Sequence, residues 1–417
     1  MKMKNLYCIL LVAASALTLS SCGIFGKKNS KGSSLPNDGQ VHGIAPGSKY
    51  VLPKPPGMVY IPQGTFHMGP SDEDPAYAFS ARNRSISISG FWMDATEVTN
   101  NEYRQFVYWV RDSVTASELK YVKTGKDGNE YVDWEKMKTV KWNDPKFLEQ
   151  LGQTNLILPP DDRIFGRIEI DPRKMIYHSK VFDLKEAAKR ENATQPRSKF
   201  IVEKKTPIYP DTLVWIRDFA YSYNEPMTKR YFSHPAFGNY PVVGVNWHMA
   251  TAFCEWSTHY LNSFLNSKNR PQESDFRLPT EGQWEYAARG GRSQSMFPWG
   301  NYYLRNKKGC LMANFKPGRG NYPEDGGFYT VRADAYWPND FGLYNMAGNV
   351  AEWTNSLARP YPYNLADGRE DLKAPGNRIY RGGSWAQTQG KARSDYREGA
   401  DPINAFNELG FRCAATP

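Results

Sequence analysis

Five short signatures, dense in glycine, asparagine and tryptophan, constrain this chain's fold more than any other feature. They are Pro241-Val-Val-Gly-Val-Asn-Trp247, Arg277-Leu-Pro-Thr-Glu-Gly-Gln-Trp-Glu-Tyr286, Phe341-Gly-Leu-Tyr-Asn-Met-Ala-Gly-Asn-Val-Ala-Glu-Trp353, Arg381-Gly-Gly-Ser-Trp385 and Gly410-Phe-Arg-Cys413. Asn and Gly at such density satisfy tight turns. Paired glycines permit close backbone approach, and each tryptophan offers a large packing surface. Aromatic residues are 14% of the chain, with 34 Gly and 29 Pro in 417 residues. That balance suits one large, loop-rich α+β domain carrying insertions.

Taken in order, these signatures resemble the formylglycine-generating, sulfatase-modifying enzyme family. The resemblance implies an elaborated C-type-lectin-like fold. In the enzymes of that family, a pair of cysteines between the Gly-Gly-Ser motif and the final Gly-Phe-Arg-Cys carries copper and oxygen chemistry. Here there is no cysteine from Gly382 to Arg412. Without thiolates there is no soft copper site, so neither copper nor catalysis is expected.

The N-terminus reads as a leader. Lys2 and Lys4 precede an apolar run from Leu6 to Leu19, and Leu19-Ser-Ser-Cys22 looks like a bacterial lipobox. Residues 1–21 are therefore expected to be removed and Cys22 to be acylated, with palmitate-like chains fixing the protein to a membrane. Gly23 follows the cysteine where an Asp would favour inner-membrane retention, so the outer membrane is expected, with the body facing the periplasm. From Cys22 to Pro56 small and polar residues dominate, a composition too poor in apolar surface to order itself and read as a tether. The 53 basic and 43 acidic residues give +10, or +8 once Lys2 and Lys4 leave. That balance is mild and no Arg-rich helix or aromatic RNA motif accompanies it, so no nucleic-acid partner is expected.

The body spans 57–417. Met58 to Gly69 predicts two short strands around a turn, and Ile86, Ile88 and Gly90 to Met93 the next strand. Thr99 or Asn100 can cap a helix through Val110, with Glu102 in its first turn. From about 111 to 237 the family resemblance fades. This charged segment, with a strand expected at Thr212 to Arg217, is an insertion. Its aromatics Trp134, Trp142, Trp215, Tyr221 and Tyr223 are either anchors for a partner or a small core of their own. A helix after Trp247 places Ala250, Phe253, Cys254, Ser257 and Leu261 on one face, and Asn262 to Ser274 form a polar insertion before the next motif. Thr280 and Gln283 make a capping box for a second helix.

Several side-chain groups invite chemical readings. His248, Glu255 and His259 lie near one another on a helix, where they form either part of a metal site or a solvated face. Glu281 and Glu285 stand four apart, either as paired carboxylates or as charges complementing a helix dipole. Cys310 has no evident base partner despite Lys307 and Lys308. The resemblance implies a disulfide between Cys254 and Cys413. It also implies structural Ca²⁺ held by Asn345, Gly348, Val350 and Glu352, and a second, less complete site at Asn314, Phe315, Asp325 and Gly327. Oxygen ligands of this kind suit calcium. The strand after the glycine pair implies a groove edged by Trp385, Arg393, Tyr396 and Arg397, which could receive a protein or a glycan.

Gly57 to Asp74 and Gly90 to Val107 are similar to the gliding-motility lipoproteins of the type IX secretion system. That narrower resemblance implies a non-catalytic ring of many copies with a periplasmic partner of the GldN/PorN type.

Overall fold

Pro62 cannot donate a backbone hydrogen bond, and it ends the first strand, β1 (Met58–Ile61), before β2 begins (Gly64–Met68). The structure, a computed structural model, describes residues 54–70, 83–125, 128, 130–218, 227, 230–272, 275–318, 327–358 and 375–416. Cys22, Tyr221, Tyr223 and Asp325 lie outside them. Residues 54–417 form one unit by themselves.

The expected single strand near Gly90 is two. β3 (Arg84–Ile88) pairs antiparallel with β2, and β4 (Phe91–Asp94) pairs antiparallel with β1. The break falls at Ser89 and Gly90, where the Tyr60 ring lies against the glycine. The last strand, Ala414–Ala415, inserts between β4 and the short strand Phe276–Arg277, so the C-terminus completes a sheet begun near residue 58.

The second four-stranded sheet is built on Ala351–Leu357, which is buried along its whole length. It pairs antiparallel with Arg378–Arg381 and parallel with Leu409–Gly410, and Arg397–Ala400 closes the other side. Two motif tryptophans fix this strand: Trp353 donates through Nε1 to the Val245 carbonyl at 3.1 Å, and Trp247 donates to the Thr354 carbonyl at 2.9 Å. Buried indoles are stable where their N–H finds such a partner.

Three helices cover the sheets. α1 (Asn100–Glu118) has Thr99 as N-cap in a capping box with Glu102. It runs eight residues beyond Val110, since Thr115 and Ala116 continue its buried stripe, so the helix extends into the segment read as insertion. α2 (Trp247–Ser267) is capped by Asn246 and buries Ala250, Phe253 and Cys254; it continues through Asn262, which had been expected to lie in a loop. α3 (Glu281–Arg289) starts at the Thr280–Gln283 capping box and ends at Gly290, whose φ of +61° suits glycine. Tyr103 of α1 stacks on Phe253 of α2 at 5.6 Å, which joins the two helices over Phe411.

The segment from 119 to 237 adds two hairpins, β5–β6 (Val122–Thr124 with Glu130–Val132) and β7–β8 (Ile176–Phe182 with Ile201–Pro207). Its Met175, Tyr177, Ile208 and Phe232 belong to the main core, while Phe147, Leu151 and Ile157 form a separate cluster. Thr212 to Arg217 is not a strand. Asp211 accepts the Leu213 amide at 2.9 Å, and that turn starts a short helix at Val214–Asp218. The aromatics here pack inward: Trp134 lies 5.2 Å from Trp109, Trp142 packs edge-on to Phe147 under Arg111, and Trp215 is 2% exposed.

Candidate functional site

Two motifs meet between α3 and the second sheet, and their charges pair inside the protein. Glu281 and Glu285 are both buried. Arg397 binds Glu281 through both nitrogens at 2.7 and 3.0 Å, Arg289 binds Glu285 at 2.7 and 3.0 Å, and Arg381 reaches both carboxylates. The pair is therefore a buried ion network that clamps α3 to the strand Arg378–Arg381. Such a network is costly to assemble from water and costly to break singly. Glu281 does sit in the first turn of α3, where a negative charge complements the helix dipole, while the guanidiniums that neutralise both carboxylates leave no free pair for acid–base work.

A second network lies beneath the turn Asn345–Glu352. Glu352 accepts Arg412 Nε at 2.7 Å, Arg412 Nη2 at 2.6 Å and Trp284 Nε1 at 2.7 Å. Glu97, from the start of α1, accepts the side-chain amides of Asn345 (3.1 Å) and Asn349 (2.9 Å). Burial pushes the Glu97 carboxyl up to about 8 and the Asp94 carboxyl up to about 7. Asn345 and Asn349 both sit at positive φ, +52° and +62°, conformations asparagine tolerates. Gly348 has no room for a side chain, since a Cβ would meet the Asn314 carbonyl at 2.2 Å.

This arrangement does not fit the implied calcium site. Glu352, its anionic ligand, already has its charge balanced by Arg412, and the Asn345 amide donates to Glu97 and to the Ala333 carbonyl. A calcium ion would have to compete with Arg412 for that carboxylate. At the second set, Asn314 donates to the Tyr329 carbonyl at 2.7 Å, Phe315 is buried, and a Cβ on Gly327 would crowd Asn314 Oδ1. No group of three His, Cys, Asp or Glu side chains among the described residues could hold a metal.

The α2 candidates separate in the same way. Glu255 accepts Ser179 Oγ at 3.0 Å and pairs with Lys204 at 3.3 Å, tying the β7–β8 hairpin to the helix. His259 is exposed, and burial lowers the pKa of His248. The sulfurs of Cys254 and Cys413 face each other at 3.1 Å in the core. Cys310 is half-buried, its amide held by Asn306.

A cleft of about 560 Å³ opens beside the Gly-Gly-Ser motif. Its walls are Phe315 to Pro317, Gly327 to Tyr329 and Trp385 to Gln387, with Lys391, Asn407 and Glu408. Trp385 stacks on Trp215 at 5.7 Å and meets Tyr329 edge-on at 5.3 Å. Of the four expected groove residues, only Trp385 lines this cleft. Arg393 is turned to Asp395 at 2.6 Å, the Tyr396 hydroxyl donates to Glu398 at 2.9 Å, and Arg397 is held by Glu281. Each is drawn away by a carboxylate, two residues along the chain for Arg393 and Tyr396 and on α3 for Arg397.

The profile of the sulfatase-modifying factor enzyme 1-like domain matches residues 47–417. The chain belongs to that family. Over 182 residues, 42% of this chain and 50% of the relative, it is 37% identical to the inactive C-alpha-formylglycine-generating enzyme 2 of Bos taurus. It is 28% identical over 367 residues to the formylglycine-generating enzyme of Mus musculus, covering 86% of this chain and 74% of the enzyme. The chain spans about half the length of the inactive relatives it matches. Among solved structures it aligns with Treponema denticola variable protein 1 (TM-score 0.45, 19% identity, 86% of this chain and 95% of that one). PvdO from Pseudomonas aeruginosa gives the same score and identity over 86% of this chain and 94% of its own.

Sulfatase-modifying-factor membership thus includes proteins named as enzymes and proteins named as inactive, and residues must decide between them. Sequence reasoning missed the centre of both networks. Glu97, Arg289, Arg381 and Arg412 are nearly fully buried, and charged residues at such positions are rare unless paired. The available signal was that Arg381 and Arg412 lie inside glycine-rich motifs and Arg289 just beyond one, positions at which a charge must find a buried partner.

Proposed function

We propose that the chain is a non-catalytic, lipid-anchored outer-membrane protein of the type IX secretion and gliding-motility machinery, of the GldK/PorK kind. In this reading it forms a periplasmic ring with a GldN/PorN-type partner. The observation that carries the non-catalytic part is the cleft wall itself. Where the enzymes of the family place their cysteine pair, this chain runs Ala386-Gln-Thr-Gln-Gly-Lys-Ala-Arg-Ser-Asp-Tyr-Arg397, and no thiol occurs between Gly382 and Arg412. A thioether or amide cannot replace a thiolate as a soft ligand and redox partner. The existence of inactive relatives supports the same reading. The lipobox supports the anchor, and the segments Gly57 to Asp74 and Gly90 to Val107 support the secretion-system assignment.

The test is oxygen uptake by the purified protein supplied with Cu(I), a thiol reductant and a cysteine-containing peptide. The expected result is no retained copper and no uptake above the buffer control. Stoichiometric copper with peptide-dependent oxygen consumption would return the protein to the enzymes.

The aromatic cleft favours one second reading, a glycan-binding surface, because Phe328 is 52% exposed beside Trp385 and sugar rings stack on such faces. Saturable binding of peptidoglycan fragments that is lost in Trp385→Ala would support it, and absence of binding would remove it.

A further inference from the structure

The β7–β8 hairpin is buried at its base and bare at its far end. Tyr177, Ser179 and Thr206 are covered by the body, while Val181 (41%), Phe182 (36%), Ile201 (49%) and Val202 (45%) are exposed, and Leu184 beyond them is 72% exposed. Val181 stands opposite Val202, and Phe182 opposite Ile201. Side chains alternate between faces along a strand, so the first pair lies on one face and the second on the other. The hairpin end is thus apolar on both sides. A protein interface draws on one face of a two-stranded ribbon; a wedge that is apolar on both faces suits immersion in an apolar medium.

Its surroundings are basic. Between Lys180 and Lys205 there are eight Lys or Arg and four Asp or Glu. Lys180, Lys185, Arg190, Arg197, Lys199 and Lys205 are all exposed. Apolar side chains collared by cations are the signature of a surface that enters the interfacial layer of an anionic bilayer. The 34 residues from Gly23 to Pro56 can span at most roughly 115 Å when extended, enough to let the hairpin reach the membrane that holds Cys22.

We propose that the end of the β7–β8 hairpin is a second membrane contact, docking the folded body onto the anionic phospholipid surface of the leaflet in which Cys22 is anchored. It rests on the lipid-anchored reading for its setting. The hairpin and the anchor would then act as two linked sites, each raising the effective concentration of the other.

The experiment uses a chain starting at Gly23, which keeps the whole described body and lacks the acylated cysteine. It is sedimented with vesicles of phosphatidylethanolamine containing a quarter phosphatidylglycerol, and with neutral phosphatidylcholine vesicles. The expected result is binding roughly tenfold stronger to the anionic vesicles and weakened by salt. A Leu184→Glu, Val202→Glu double variant, exposed at both positions and so expected to keep its melting temperature, should lose about tenfold or more. Equal binding to both vesicles, an unaffected double variant, or no vesicle binding with crosslinking from residue 184 to a protein in cells would each overturn the proposal. The mass of Cys22 in the native protein reads the anchor separately, so failure of one reading is not mistaken for failure of the other.

Discussion

Arg412 and Glu352 form a two-pronged ion pair, at 2.7 and 2.6 Å, in which neither side chain has any exposure to solvent. The same guanidinium donates to the carbonyls of Asp94, Ala95 and Tyr344. One arginine thus fastens the C-terminal motif to the first sheet and to the asparagine turn. Replacing Arg412 with Met should leave Glu352 buried and unpaired, and is expected to cost about 3–5 kcal/mol in chemical denaturation. Adding Glu352→Gln to that variant should recover part of the loss, because the stranded charge is then gone. Additive losses in the double-mutant cycle would contradict the coupling.

Because Glu352 already has protein donors, we expect folding to be independent of calcium. Dialysis against a chelator should leave the melting temperature unchanged within about 1 °C, against the roughly 4 kcal/mol that a site filled at a thousand times its dissociation constant would contribute. A chelator-induced drop reversed by calcium would restore the family's ion to this turn.

The buried acids set the pH dependence. Glu97 and Asp94 have their carboxyls pushed up to about 8 and about 7 by burial, against ordinary values near 4 in the unfolded chain. Between those limits the native state holds more protons than the unfolded state, so stability declines as pH rises from about 4 to 8. Thermal melts across that range should show the decline, and Glu97→Gln, which keeps the amide contacts' shape without a titrating group, should flatten it. A melting temperature that climbs steadily to pH 8 would show that these acids are ionised in the fold.

Much of this architecture was legible in the sequence, and the part that was not has a common cause. The caps at Thr99 and Thr280 and the burial of Ala250, Phe253 and Cys254 on α2 follow from local spacing, which is why they could be read, whereas Ser257 and Leu261 are only half-buried. The break at Gly90 was hidden, since the strands on either side of it pair with different partners, β2 and β1, which sequence alone does not show. The turn at Asp211 outweighed the β-forming residues Thr212 and Val214, a local hydrogen bond overriding propensity. At the site, Trp385 lies along the cleft wall. Arg393 and Tyr396 turn instead to carboxylates two residues along the chain, Asp395 and Glu398, while Arg397 is taken by Glu281, which only tertiary structure brings near it.

The cysteines offer a test of the resemblance in the oxidising setting it implies. The sulfurs of Cys254 and Cys413, 159 residues apart in sequence and 3.1 Å apart in space, are placed to form the family's disulfide. Thiol titration of protein purified from membranes without reductant should find one reactive group in denaturant, Cys310, rising to three after reduction once Cys22 is acylated. Cys413→Ser should then cost on the order of 4–5 kcal/mol by chain entropy for a loop of that length. Three thiols without reduction would show that the pair stays open.

Trp215 and Trp385 link the inserted segment to the cleft through their 5.7 Å stack. Trp215→Ala should cost about 3–5 kcal/mol and loosen Trp385, read as a red-shifted tryptophan emission. A variant of unchanged stability would mean that the stack is not a structural joint.

The most direct test of the account is gentle solubilisation of outer membranes carrying a C-terminally tagged chain, followed by electron microscopy and mass spectrometry of what co-purifies. The account predicts large rings that contain a second periplasmic protein and a lipid-modified Cys22. Monodisperse single copies without a partner, persisting after crosslinking, would contradict it.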